Sequence, residues 1–351
     1  MKKILIIRLT SLGDVIFTIP LACTLKKSSD DVQIGWVVAE KGLDIVKNNP
    51  CVDKCFFVPL KEWKKRPFSF KTFKEFFQII KEIRTEKYDI AFDCQQMFKS
   101  LFLFLFCGAK RRITFKDARE LSVFGGNEFV APKADFRDFN YHIVERNLDF
   151  ARYLGLEPKE IEFSLPATSD EAKLKIDELT RNLDKSKPIV VISPATTWEN
   201  KHWAEKNWAE VVESIHSRCN LIFTGTNADE ALIERILANV KTEITYTNLV
   251  GKTNVEELRE LFSRSDVVIS PDSGSAHLAW ASANPAVIAI FTCTPPMRFG
   301  PYGNTQKYFS VASKLPCQPC FKKKCKLDDK NICQKLPEAS DIINIVNNFL
   351  Q

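Results

Sequence analysis

Glycine is scarce, at 12 residues in 351, and no run of apolar residues is long. The first scarcity excludes a collagen-like or low-complexity chain. The second excludes a membrane-spanning helix: the aromatic and aliphatic run Leu101 to Cys107 lies between Lys99 and Lys110, far short of the roughly 20 residues a bilayer requires. After Met-Lys-Lys, Arg8 breaks the apolar run of Ile4 to Ile7 before a signal peptide's hydrophobic region can form, so export by that route is not expected. Charge of one sign is also in short supply. Fifty Lys and Arg against 44 Asp and Glu leave +6, too balanced for a nucleic-acid-binding stripe. The excess is local, at Lys61, Lys64, Lys65 and Arg66 and again from Lys322 to Lys326, and implies an anionic partner.

Several motifs are absent as well. Neither G-x-x-x-x-G-K-S/T nor G-x-G-x-x-G after the first strand occurs, which removes the usual signals for nucleotide hydrolysis and dinucleotide oxidoreduction. No Asp-x-Asp cluster follows a strand to hold a divalent cation against a sugar-nucleotide diphosphate. The 11 cysteines sit mostly inside apolar segments, as at Cys23, Cys94, Cys219 and Cys293, and read as reduced core thiols of a cytoplasmic protein rather than a disulfide framework.

What is present is the composition of a folded protein, 45% hydrophobic and 27% charged. The length predicts two domains of about 150 residues each, with a cleft between them. Strands are predicted at Lys3 to Leu9, Val32 to Val38, Lys54 to Pro59, Tyr88 to Cys94 and Arg111 to Phe115. They alternate with helices such as Phe73 to Thr85, whose Phe76, Phe77, Ile79, Ile80 and Ile83 form a stripe to pack on a sheet, and His142 to Leu154. Pro158 to Asp170 breaks the pattern and reads as a linker. The alternation then resumes, with strands at Pro188 to Ser193, Asn220 to Thr224, Asn248 to Val250, Asp266 to Ile269 and Ala286 to Phe291. Helices are predicted at Ala204 to Ser217, Ala228 to Val240, Val255 to Ser263 and Gly274 to Ala283. Alternation of this kind makes parallel, doubly wound α/β sheets, whose ligands sit beyond the carboxyl ends of the strands.

Three loops at such ends stand out. Arg8 to Asp14 follows the first strand, with the helical pattern starting at Val15. Asp14 is either a helix cap or a general base for an acceptor hydroxyl, with Gly13 allowing close backbone approach and Ser11 beside it. Pro194 to Glu205 carries Thr196, Thr197 and Lys201, which suit a diphosphate whose charge grows as it leaves. Ser270 to His277 opens a helix with Asp272, Ser273, Gly274 and Ser275, an anion site built of exposed amides; His277 either touches the anion or packs. Lys201 and that helix terminus can do the electrostatic work of a cation.

Together, Ile-Ile-Arg-Leu-Thr-Ser-Leu-Gly-Asp-Val-Ile, Thr-Thr-Trp-Glu-Asn-Lys-His-Trp and Pro-Asp-Ser-Gly-Ser-Ala-His resemble, in order and spacing, the ADP-heptose:lipopolysaccharide heptosyltransferases of glycosyltransferase family 9. The stretch Tyr88 to Gln96 with Lys99-Ser100, Ala118-Arg119-Glu120, Val144-Glu145-Arg146 and Phe299 to Gly303 resemble the heptosyltransferase I branch. The resemblance implies a GT-B fold: an acceptor-binding Rossmann-like domain at residues 1–165 and an ADP-sugar-binding one at 166–351. The helix at 338–350 would pack back on the first domain. It implies metal-independent, inverting transfer of L-glycero-D-manno-heptose from ADP to Kdo on the lipid A precursor, with no cofactor beyond the ADP-sugar co-substrate. Asp14 would be the base. Thr196, Thr197, Lys201, Asp229, Thr253, Asp272, Ser273, Gly274, Ser275 and His277 would bind the donor. Ser11, Gly13, Lys61, Lys64, Lys65, Arg66, Lys99, Arg119 and Arg146 would meet the acceptor's carboxylates and phosphates. The mixed aromatic and basic stretch Trp63 to Phe70 would give peripheral contact with the inner leaflet.

Other outcomes stay open: a heptosyltransferase II or another member with a different sugar, and a non-catalytic nucleotide-sugar-binding protein, against which the presence of Asp14 argues. Cys317, Cys320, Cys325 and Cys333 form C-x2-C-x4-C-x7-C, a spacing that zinc would accept.

Overall fold

A computed structural model describes residues 2–135, 138–303, 306–325, 327 and 332–350. The chain divides into two compact units, Met1–Ala167 and Thr168–Gln351. In the first, a six-stranded parallel sheet runs in the order β3-β2-β1-β4-β5-β6, with β1 Lys2–Ile7, β2 Val32–Ala39, β3 Lys54–Val58, β4 Ile90–Asp93, β5 Arg111–Phe115 and β6 Glu128–Val130. In the second the order is β12-β11-β10-β7-β8-β9, with β7 Ile189–Ile192, β8 Asn220–Phe223, β9 Thr247–Asn248, β10 Val267–Pro271, β11 Ala286–Phe291 and β12 Tyr308–Ala312. Parallel neighbours require crossovers, and the helices supply them.

The central strands are apolar on both faces because helices cover both. Ile4, Leu5, Ile6 and Ile7 of β1 are all buried, and each such side chain contributes roughly 1.5–3 kcal/mol relative to exposure. On one face Leu5 and Ile7 pack with Ile79, Ile80 and Ile83 of the Phe70–Thr85 helix. Phe77, expected in that buried stripe, is instead 63% exposed, and Phe76 is only half-buried. Two short strands, β6 and β12, were not foreseen. Both are sheet edges with half-exposed side chains, so neither shows a continuous apolar run. The Ala339–Asn347 helix buries Ala339, Ile342 and Val346 in the second unit's own core.

The cysteine reading needs one correction. Cys23 and Cys51, whose Cα atoms lie 5.0 Å apart, form a disulfide between the Ile19–Lys27 helix and the turn before β3. Cys94, Cys219 and Cys293 are free buried thiols, as read. Among the described residues no helix is long and apolar enough to cross a membrane.

Each sheet reverses its strand order once, between β1 and β4 in the first and between β7 and β10 in the second. Ile7 pairs with both Val37 and Asp93, and Ile269 pairs with Ile192, so the loops after these strands emerge side by side. Crevices of this kind are where doubly wound sheets take their ligands.

Candidate active site

At the first reversal, the loop after β1 is tied to the loop after β4. The backbone N–H groups of Leu9 and Thr10 donate to Gln95 Oε1 at 3.1 and 2.9 Å, and the Arg8 guanidinium donates to the Cys94 carbonyl. The helix that follows, Leu12–Ile16, starts three residues earlier than expected, so Asp14 is its third residue and Ser11 its cap. Asp14 accepts from Ser11 N and Oγ at 3.1 and 3.0 Å through one oxygen, and its other oxygen meets Arg8 Nη2 at 2.7 Å. Buried Arg8 thus aims a half-exposed carboxylate. It was read only as a break in an apolar run; a charged residue at the carboxyl end of a central strand was the signal for a second role.

Behind Arg8 lies fully buried Asp93, which accepts from Gln95 N, Gln96 N and Ser100 Oγ. Burial pushes its pKa up to about 6, against the lowering effect of those hydrogen bonds and of Arg8. Lys99, on the Phe98–Phe106 helix, donates to Thr10 Oγ1. Its pKa is pushed down to about 8 by burial first and by the Arg8 charge second, while Asp14 pulls the other way.

The predicted acceptor residues separate accordingly. Lys99 and Arg119 both lie within electrostatic reach of Arg8 and Asp14, and Lys64 within reach of Lys99. Arg146 is fully buried, bound to Asp117 and Gln96 and stacked 4.2 Å over Phe115, so it supports the site from beneath. Arg66 is engaged by Glu75 at 2.9 Å and Lys65 by Glu62 at 2.8 Å, while Lys61 is exposed on the same Leu60–Lys65 helix. Gly13 is buried in the first helical turn.

At the second reversal the centre is Asp272, buried at the end of β10. Its Oδ2 meets Lys201 Nζ at 2.6 Å and accepts from Thr294 Oγ1 at 2.5 Å; its Oδ1 lies 3.3 Å from His277 Nε2. Burial alone would raise this carboxyl, but Lys201 and His277 outweigh it and hold it well below the usual carboxylate range. With both oxygens occupied, Asp272 holds Lys201 and His277 in place rather than facing an anion itself. Lys201 uses one ammonium donor on Asp272 and has three in all. Next to it begins the Gly274–Ala281 helix, capped by Ser273, whose Oγ accepts from Ala276 N and pairs with Ser270 Oγ at 2.9 Å. Thr294 was missed, although it follows β11 at the same sheet edge.

The Lys201 loop is clasped from an unexpected side. Asn200 is buried and donates through N and Nδ2 to the carbonyls of Lys323 and Lys322, while Ala204 N donates to Gln334 O and Trp203 Nε1 to Pro337 O. The basic stretch from Lys322 thus braces this loop with its backbone; Lys326 lies outside the described residues. Lys201 also sits 5.0 Å over the Trp198 ring. Thr196 is half-buried and Thr197 exposed on this loop.

Asp229 caps its own turn, accepting from Thr226 N and Oγ1 at 2.7 Å each. That turn is joined to the one before Thr253 where Gly251 N donates to Gly225 O. Gly251 has φ +71°, a left-handed conformation that strains a side chain, and a Cβ there would also push Asn227 Oδ1 aside. Both turns follow β8 and β9, on the same edge as Lys201. Cys333 lies within electrostatic reach of Cys317, Cys320 and Cys325, and among the described residues no group of three or more His, Cys, Asp or Glu side chains is placed to hold a metal ion.

Residues 76–331 match the model of glycosyltransferase family 9 (heptosyltransferase). The chain belongs to this family. It is a glycosyltransferase, as the sequence implied. It is 29% identical to lipopolysaccharide heptosyltransferase 1 of Campylobacter coli over 98% of both chains. It is 28% identical to the lipopolysaccharide core heptosyltransferase OpsX of Haemophilus influenzae, over 88% of this chain and 84% of the relative. The structure of the E. coli heptosyltransferase WaaC with ADP superposes with a TM-score of 0.75 at 21% identity, covering 99% of each chain, and shows the fold to be of the GT-B type.

Proposed function

We propose that this family 9 enzyme transfers L-glycero-D-manno-heptose from its ADP-activated form to a Kdo residue of the lipopolysaccharide inner core, with inversion at the anomeric carbon and without a metal in the step. The observation that carries the proposal is the Asp14 carboxylate, aimed by Arg8 and Ser11 at the strand reversal of the first sheet. Asp14 takes the proton of the acceptor hydroxyl as its oxygen bonds to the sugar's anomeric carbon. The bond from that carbon to the diphosphate breaks, and ADP leaves with the electron pair. One displacement of this kind inverts configuration.

The charge arriving on the diphosphate meets Lys201, Thr196, Thr197 and the amides of Gly274 and Ser275, with His277 beside them. Asp229 and Thr253 flank the nucleoside side. Lys99 and Arg119, both within electrostatic reach of Asp14, pair with the Kdo carboxylate; Lys64 extends the charge outward. The named lipopolysaccharide heptosyltransferase 1 relative, aligned over almost the whole chain, supports a lipopolysaccharide acceptor.

Lys99 supplies a pH test. With its pKa near 8, the ammonium that pairs with an anionic acceptor is present below that pH and lost above it. In a transfer assay with ADP-heptose and a Kdo-terminated lipid A acceptor, kcat/KM for the acceptor is expected to fall as pH rises through 8. Lys99→Arg should move that limb upward, since guanidinium stays charged. A profile flat from pH 7 to 9, or no transfer to Kdo, contradicts the assignment.

A further inference from the structure

We infer that the first unit carries a membrane-docking face, built from the exposed aromatic residues of the Phe70–Thr85 and Phe98–Phe106 helices and the lysines around them, that seats on an anionic lipid surface. The first helix exposes Phe70, Phe73 and Phe77, spaced three and four apart along one side. The second exposes Phe98, Phe102 and Phe106 at the same helical spacing. Through half-buried Phe76, the ring of Phe77 joins those of the second helix in one ladder: Phe77 to Phe76 at 5.5 Å, Phe76 to Phe106 at 6.4 Å, Phe106 to Phe102 at 6.4 Å and Phe102 to Phe98 at 5.5 Å. Helices that pack on a sheet ordinarily turn such residues inward, and an exposed apolar area rimmed by charge marks an interaction surface.

Charge selects the occupant. Between Lys61 and Arg84 the chain has eight basic residues and three acidic ones. Two of the acids are already held, Glu62 by Lys65 and Glu75 by Arg66 and Trp63. Lys71, Lys74 and Lys81 are exposed on the aromatic helix itself. Aromatic rings at headgroup depth with lysines around them match an anionic bilayer surface, where each lysine adds to the attraction. The ladder also ends at Phe98, the neighbour of Lys99, so a seated face sets the acceptor side of the Asp14 site next to the lipid headgroups. This last point rests on the proposed lipid-anchored acceptor; the docking face does not. The stretch read from sequence as leaflet-binding, Trp63 to Phe70, is only the margin of this face, because Trp63 is half-buried against Phe76.

The test is vesicle co-sedimentation of the full chain, with phosphatidylcholine alone and with phosphatidylglycerol added. Binding is expected only with the anionic lipid and should weaken at high salt. Lys71→Glu/Lys74→Glu and Phe73→Ser/Phe77→Ser, all at exposed positions, should each lower it by about tenfold or more and leave transfer to a lipid-free Kdo acceptor unchanged. Equal binding to neutral vesicles, no binding, or unchanged binding by both variants overturns the inference. So does a dimer of the free protein that the Phe variant dissolves, which would assign the face to a second copy. Loss of transfer with vesicle binding intact would count against the acceptor reading alone.

Discussion

Asp14→Asn is expected to lower kcat by about 10²- to 10⁴-fold while ADP affinity stays unchanged, because the variant removes a proton acceptor from the acceptor side and nothing from the donor side. Asn keeps the size of the side chain and can still accept from Ser11. What it loses is the ion pair with Arg8, and since Asp14 is about one-third exposed, that loss should cost roughly 1 kcal/mol or less. Arg8 retains the Cys94 carbonyl and the charge of Asp93. A folded variant with an intact donor site and little turnover is therefore the expected product. Single-turnover measurement with both substrates bound isolates the chemical step, and near-normal turnover there would remove Asp14 from the role of base.

Lys201→Ala should act on two quantities at once. It strips a cation from the diphosphate, so ADP affinity and turnover both fall. It also leaves Asp272 buried with its strongest partner gone, and breaking a buried pair from one side costs roughly 3–5 kcal/mol. Adding Asp272→Asn to Lys201→Ala removes the orphaned charge, so the double variant should recover much of the lost stability and none of the ADP affinity. This split separates a cation that binds the donor from one that serves only the fold. If thermal denaturation and ADP titration recover together, Lys201 is structural.

The strand-helix alternation made both sheets legible because their central strands are continuous apolar runs, and Arg111–Phe115, Ala286–Phe291 and Val255–Ser263 match the sequence limits residue for residue. The edge strands β6 and β12 escaped because their half-exposed side chains carry little periodic signal. The site loops were legible as places, but their wiring was not. Nothing in a linear pattern says that Arg8 reaches Asp14, that Thr294 reaches Asp272, or that Asn200 is held by the backbone of Lys322 and Lys323, a contact across 122 residues. The same limit hid the aromatic face: spacing shows that Phe77 lies on one side of a helix, and only the packing shows that side exposed.

The most direct test of the central claim, a donor site for an ADP-sugar at the carboxyl edge of the second sheet, is a calorimetric titration of the protein in EDTA with ADP, UDP, GDP and NAD. Selective binding of ADP is the result the account predicts. A preference for UDP or GDP, or no nucleotide binding at all, would contradict it.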